Sequence, residues 1–214
     1  IWQVVPYFID LDRTDDNIRE LGDISLAAGI PCSLQPVLGQ PDGKSPRQLE
    51  SLRREHERGA RVYGQTMPRP FDMNMRLSET SMLLFGYPAW KRIMDLSRED
   101  RLAEFSDPAN RESLVAQMAA RRSGFSIPLM RVNDVVSGDH DKYLGKTIGE
   151  IAASEGKEVG EVVLDLSIAD NLDTEFQLKG VVNANQDAVA ELINSPYCHF
   201  GASDAGAHIT QFCG

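Results

Sequence analysis

Two hydrophobic periods alternate along the first 66 residues, and that alternation constrains the fold more than any other feature. Trp2, Val4, Pro6 and Phe8 alternate with Gln3, Val5 and Tyr7, the period of a mostly buried strand. Asp10 to Asp16 reads as a polar loop rich in helix-start residues. Ile18, Leu21, Ile24 and Ala28 then recur at helical spacing, and Gly29 closes that helix. Ile30 to Val37 is a second strand. Pro46 opens a charged helix carrying Leu49 and Leu52, and Ala60 to Thr66 is a third strand. Strand, helix, strand, helix, strand is the order of parallel pairs joined by crossover helices.

Regularity lapses between Met67 and Gly145. Pro68-Arg69-Pro70 begins a long loop, with short helices expected at 88–96 and 98–105, a longer one over Asn110–Arg122, and a strand over Ile127–Val132. Residues 67–145 therefore read as a loop and helical insertion. Thr147-Ile148-Gly149-Glu150 is a capping box. Val159, Val162, Val163, Leu166 and Ala169 form the strongest helical stripe. Leu178–Asn183 reads as a strand, Gln186–Ser195 as a helix and Tyr197–Ala202 as the last strand. The expected fold class is α/β: a partial (β/α)8 TIM-like barrel forming one domain over 1–214, with a doubly wound sheet as its rival. The chain opens without Met in an apolar run and ends straight after a motif. It reads as cut at both ends, and such a piece is expected to aggregate and be inactive alone.

Charge narrows the partners. Among 214 residues, 22 Lys and Arg face 32 Asp and Glu, a formal net charge of −10. A surface this acidic disfavours nucleic acid and anionic membranes. No apolar run approaches the ~20 residues of a membrane helix. Three scattered cysteines, Cys32, Cys198 and Cys213, fit a reducing, cytoplasmic setting. Neither G-x-G-x-x-G after a strand nor a Walker A motif occurs.

The chemistry concentrates in Gly201-Ala202-Ser203-Asp204-Ala205-Gly206-Ala207-His208. A carboxylate just past an apolar strand stands where α/β barrels carry their reactive groups. Asp204 there can bind a metal and move a proton, or it can cap the next helix. Ser203 nearly satisfies G-x-S-x-G, but the final glycine is missing. His208 reads equally as a substrate contact or a plain loop residue. Arg69 either grips a substrate carboxylate or braces its loop. Gln35 and Gln65 end the second and third strands as neutral hydrogen-bonders facing a site or bracing loops. His56 reads as solvated, His140 as a surface residue and His199 as a buried core histidine; the scattered methionines read as core filler.

These residues carry a resemblance. Gly201 to His208 resembles the last-strand motif of the D-aminoacylase, or N-acyl-D-amino-acid deacylase, branch of the amidohydrolase superfamily. Tyr143 to Gly156 with Val163-Leu164-Asp165-Leu166 is similar to the helical segment before that family's last two strands, and Asp187 to Ile193 also fits. The likeness is strongest over 143–208 and weaker over 1–95. It implies a metal-dependent hydrolase on a distorted (β/α)8 barrel, using zinc or a similar divalent cation against a carbon–nitrogen bond of a small amide. Asp204 would be metal neighbour and general base, then acid to the leaving amine. The family's His-x-His pair would precede Ile1, so most metal ligands are expected outside this chain. Histidines that the family places after two further strands align near Ser33–Pro36 and Gly64–Pro68, where Gln35 and Gln65 stand instead. A catalytically inactive relative that binds a small ligand is the alternative.

Overall fold

The computed structural model describes residues 1–5, 11–39, 44–120, 126–201 and 212–213. In chain order its elements are β1 (Trp2–Val4), α1 (Leu11–Ala28), β2 (Cys32–Leu34), α2 (Lys44–Glu57), β3 (Val62–Thr66), β4 (Phe71–Met75), α3 (Pro88–Met94), α4 (Arg98–Ser106), α5 (Pro108–Ala120), β5 (Arg131–Asp134), α6 (Ile148–Glu155), α7 (Val159–Ala169), β6 (Glu175–Val182), α8 (Gln186–Asn194), β7 (Cys198–Phe200) and β8 (Phe212–Cys213). The described residues fall into two compact units: those of 1–71 with 180–201, and those of 72–179 with 212–213. The fold is mixed α/β.

The first unit holds a four-stranded sheet in the order β1-β2-β3-β7, every pair parallel. Strands joined in parallel need crossovers, and α1 and α2 supply two of them. One sheet face carries Val4, Leu34, Val62 and Cys198. Ile18 and Leu21 of α1, Leu52 of α2, Leu192 of α8 and Val37 pack with these residues into a single core. Each fully buried aliphatic side chain contributes roughly 1.5–3 kcal/mol. Gly64 is required where the layers meet, because a Cβ there would stand 2.6 Å from Val37 Cγ2 and 3.0 Å from Cys198 Sγ. Helices α1 and α2 approach so closely at Gly22 that a Cβ would fall 1.9 Å from Glu55 Oε2. That buried carboxylate is paired with Arg58 at 2.7 Å.

The second unit holds a sheet in the order β5-β6-β4-β8 and helices α3 to α7. Trp90 is wholly buried; its indole N–H donates to the Leu114 carbonyl at 3.0 Å and its ring meets Phe105. Gly160 lets α7 cross α5, since a Cβ would lie 3.0 Å from Val115 Cα. Helix α6 starts in the expected capping box: Thr147 Oγ1 accepts from the Glu150 amide, and the Glu150 carboxylate accepts from the Thr147 amide. Gly156 at φ 64° ends it. Met73, Met75 and Met94 fill the core as expected.

Local expectations fail in three places. The acidic stretch read as a loop forms the first turns of α1 from Leu11 on, where the helix dipole favours Asp12 and Asp15, and Arg47 reaches across to Asp15 at 2.7 Å. Residues 127–129 form a 3-10 turn instead of strand, and pairing begins only at Arg131. The segment read as a long loop contains β4, where Phe71, Met73 and Met75 are buried and only Asp72 is half-exposed.

Candidate functional site

The sheet face opposite the helices is polar, and the pairing register explains how it is assembled. Gln3 pairs with Ser33, and Gln65 pairs with His199. Alternation puts Gln3, Ser33 and Gln65 on the face away from the apolar row. Gln65 is buried, donates from Nε2 to Ser33 Oγ at 2.6 Å and accepts at Oε1 from Gln3 Nε2 at 3.4 Å. Gly201 closes against the same amide, because a Cβ there would fall 2.6 Å from Gln65 Oε1. The three side chains on neighbouring strands thus form a neutral hydrogen-bonded row ending at the glycine that opens the motif.

All four strands run the same way, so the chain leaves β2, β3 and β7 at one end of the sheet. Gln35, half-buried, follows β2; its backbone N–H donates to the Val4 carbonyl at 3.0 Å. Met67, Pro68 and Arg69 follow β3, and Arg69 is exposed. Asp204 and His208 follow β7 in sequence and lie outside the described residues. The structure therefore brings Gln65 into the row, places Gln35 and Arg69 at the strand ends beside it, and leaves the two motif residues undescribed.

The remaining histidines depart from their sequence readings. His56 is half-buried: its Nε2 stands 2.8 Å from the Val62 carbonyl and its ring packs on Tyr63 and Tyr197. His199 is exposed, its ring 6.0 Å from Tyr63. In the second unit the His140 side chain is only 17% exposed, with Nδ1 3.4 Å from Asp170 Oδ1. Burial pushes the Asp170 carboxyl up, but donation from Thr174 Oγ1 and the Val136 and Ser137 amides, with His140 nearby, holds it below its ordinary value. Sequence reasoning missed this buried carboxylate, because its three donors and His140 converge only in three dimensions.

Among the described residues no three His, Cys, Asp or Glu side chains stand together to hold a metal ion. The strand ends offer amides and a hydroxyl, poor ligands for zinc beside imidazole and thiolate. Cys198 is no substitute, since burial pushes its thiol up to about 12. The described residues therefore do not fit a resident metal.

No protein-family model matches the chain, and no curated protein matches it. Among solved structures it is similar to N-acyl-D-glutamate deacylase from Bordetella bronchiseptica, determined with zinc and a phosphonate mimic of the reaction's tetrahedral intermediate. The identity is 15% and the TM-score 0.38, over 87% of this chain and 29% of that one. The chain spans less than a third of that protein's length, and a TM-score of this size leaves fold and function to be read from the chain's own residues. No described helix is long and apolar enough to cross a membrane.

Proposed function

We propose that the chain belongs to an amidohydrolase-type enzyme that cleaves a carbon–nitrogen bond of a small amide, such as an N-acyl amino acid. The single observation supporting this reading most is positional. β7 of the parallel sheet leads into Gly201, the first residue of the Gly201–His208 motif, at the sheet end where Gln35 and Arg69 also follow their strands. Barrels of the (β/α)8 type collect reactive groups at that end. The barrel itself is part of the proposal, with β1-β2-β3-β7 as one arc of its wall.

Asp204 is assigned the proton work. Its carboxylate takes a proton from the attacking water as the new carbon–oxygen bond forms, then gives it to the amine nitrogen as the carbon–nitrogen bond breaks. Arg69 pairs with an acidic group on the substrate. Gln35 and the second Nε2 proton of Gln65 offer neutral hydrogen bonds, and His208 completes the substrate contacts. The divalent metal that the resemblance implies finds no ligand set among the described residues, so any such ion depends on residues beyond them.

The test is Asp204→Asn in the intact protein, assayed on a panel of N-acetyl amino acids. Turnover is expected to fall by about 10² to 10⁴ with the melting temperature kept. Wild-type-like turnover in the variant would remove the assignment. The neutral Gln3–Ser33–Gln65 row favours one second reading, a catalytically inactive relative that binds a small ligand. Metal analysis separates the two: intact protein that carries no metal and gains no activity with added zinc or manganese is a binder.

A further inference from the structure

Three chain segments leave strand ends in the first unit, and one buried amide joins them. Asn183 follows β6, is 1% exposed and takes φ 58°. Left-handed backbone is uncommon outside glycine, and asparagine tolerates it better than most residues. Its side chain is engaged at both ends: Oδ1 accepts from the Gly39 amide at 2.7 Å, and Nδ2 donates to the Met67 carbonyl at 3.0 Å. Gly39 lies beyond β2, and Met67 directly follows β3. Gly39 is hemmed in, since a Cβ there would meet the Val189 amide nitrogen at 3.0 Å and Cγ2 at 2.7 Å. Asn183 is anchored in turn: Gln186 Nε2 donates to its carbonyl at 3.3 Å, and Asn185 caps α8 by accepting from the Ala188 amide at 2.9 Å.

We propose that Asn183 is the positioning residue of the candidate site. It ties the segments after β2 and β3 to the end of β6, so that Gln35 and Arg69 meet an acidic amide at a fixed spacing. The ligand in this statement rests on the hydrolase reading; the clamp does not. A buried amide that donates to one loop and accepts from another holds both against thermal motion, and a preformed rim binds without first being ordered. Aspartate at 183 keeps the acceptor and loses the donor. Glycine keeps the backbone conformation and loses both.

Amide hydrogen exchange resolved to Gly39, measured on the intact protein, tests the clamp. In Asn183→Gly the Gly39 amide is expected to exchange about tenfold faster, while the amides of β2 and β3 keep their protection. Asn183→Asp is expected to restore slow exchange at Gly39. On N-acetyl amino acids, Asn183→Gly is expected to raise KM about tenfold with kcat little changed. Unchanged exchange at Gly39 in the glycine variant would overturn the clamp. Uniform acceleration across β2 and β3 would also overturn the proposal, by making Asn183 a residue of general stability. A fall in kcat with KM unchanged would overturn the positioning of binding groups. Wild-type protein that turns over nothing on the panel removes the hydrolase reading, and Gly39 exchange still decides the clamp.

Discussion

At the scale of single residues, burial decides what a reactive side chain can do. Cys198 packs beside Gly64 in the first unit, and burial pushes its thiol up to about 12 from the ordinary 9.0. The neutral form is therefore kept while an unfolded chain would already ionise. Its contribution to stability is whole below pH 9 and is lost as pH rises toward 12. Denaturant titrations of wild type and Cys198→Ala should show the wild-type advantage shrinking across that window, and the native thiol should resist alkylation at pH 8. A constant difference between the two proteins, or rapid native alkylation, would contradict the burial argument. Asn183 shows what sequence alone conceals at this scale. Nothing around Val182-Asn183-Ala184 marks a clamp, because its partners Gly39 and Met67 stand 144 and 116 residues away along the chain.

Secondary elements were legible wherever local chemistry determines them. The capping box at Thr147 and the stripe through Val162, Val163 and Leu166 both appear where the residues place them. Thr147→Ala should destabilise the second unit by about 1 kcal/mol, and Thr147→Ser should recover most of it. Equal melting curves for the alanine variant and wild type would show that the cap is not limiting. Elements were misread where a tertiary partner is decisive. Strand β4 has the alternation of a strand, but Asp72 and Asn74 are polar and two prolines precede it. Its Asn74 becomes interpretable only beside Gln177, which donates to it at 3.1 Å. The polar face of the parallel sheet was partly readable, since Gln35 and Gln65 stood out as strand-end amides. Their different fates, one tied to Ser33 and the other at the sheet end, depend on register.

At the scale of the molecule, each unit has its own interior, and only the second draws nearly all of it from one continuous stretch. Leu192 from α8 completes the first unit's core, and β7 completes its sheet. A chain ending at Lys179 should keep slow amide exchange in α5 and α7 and lose it in β2 and β3; protection retained in β2 and β3 would refute this dependence. The division also has a timetable. A ribosome adding about 5–20 residues per second releases β1, β2 and β3 early and then spends roughly five to twenty seconds on the stretch from Asp72 to Lys179. Throughout that interval the nascent β3 presents a bare edge to water or to a chaperone, until its last neighbour has been synthesised.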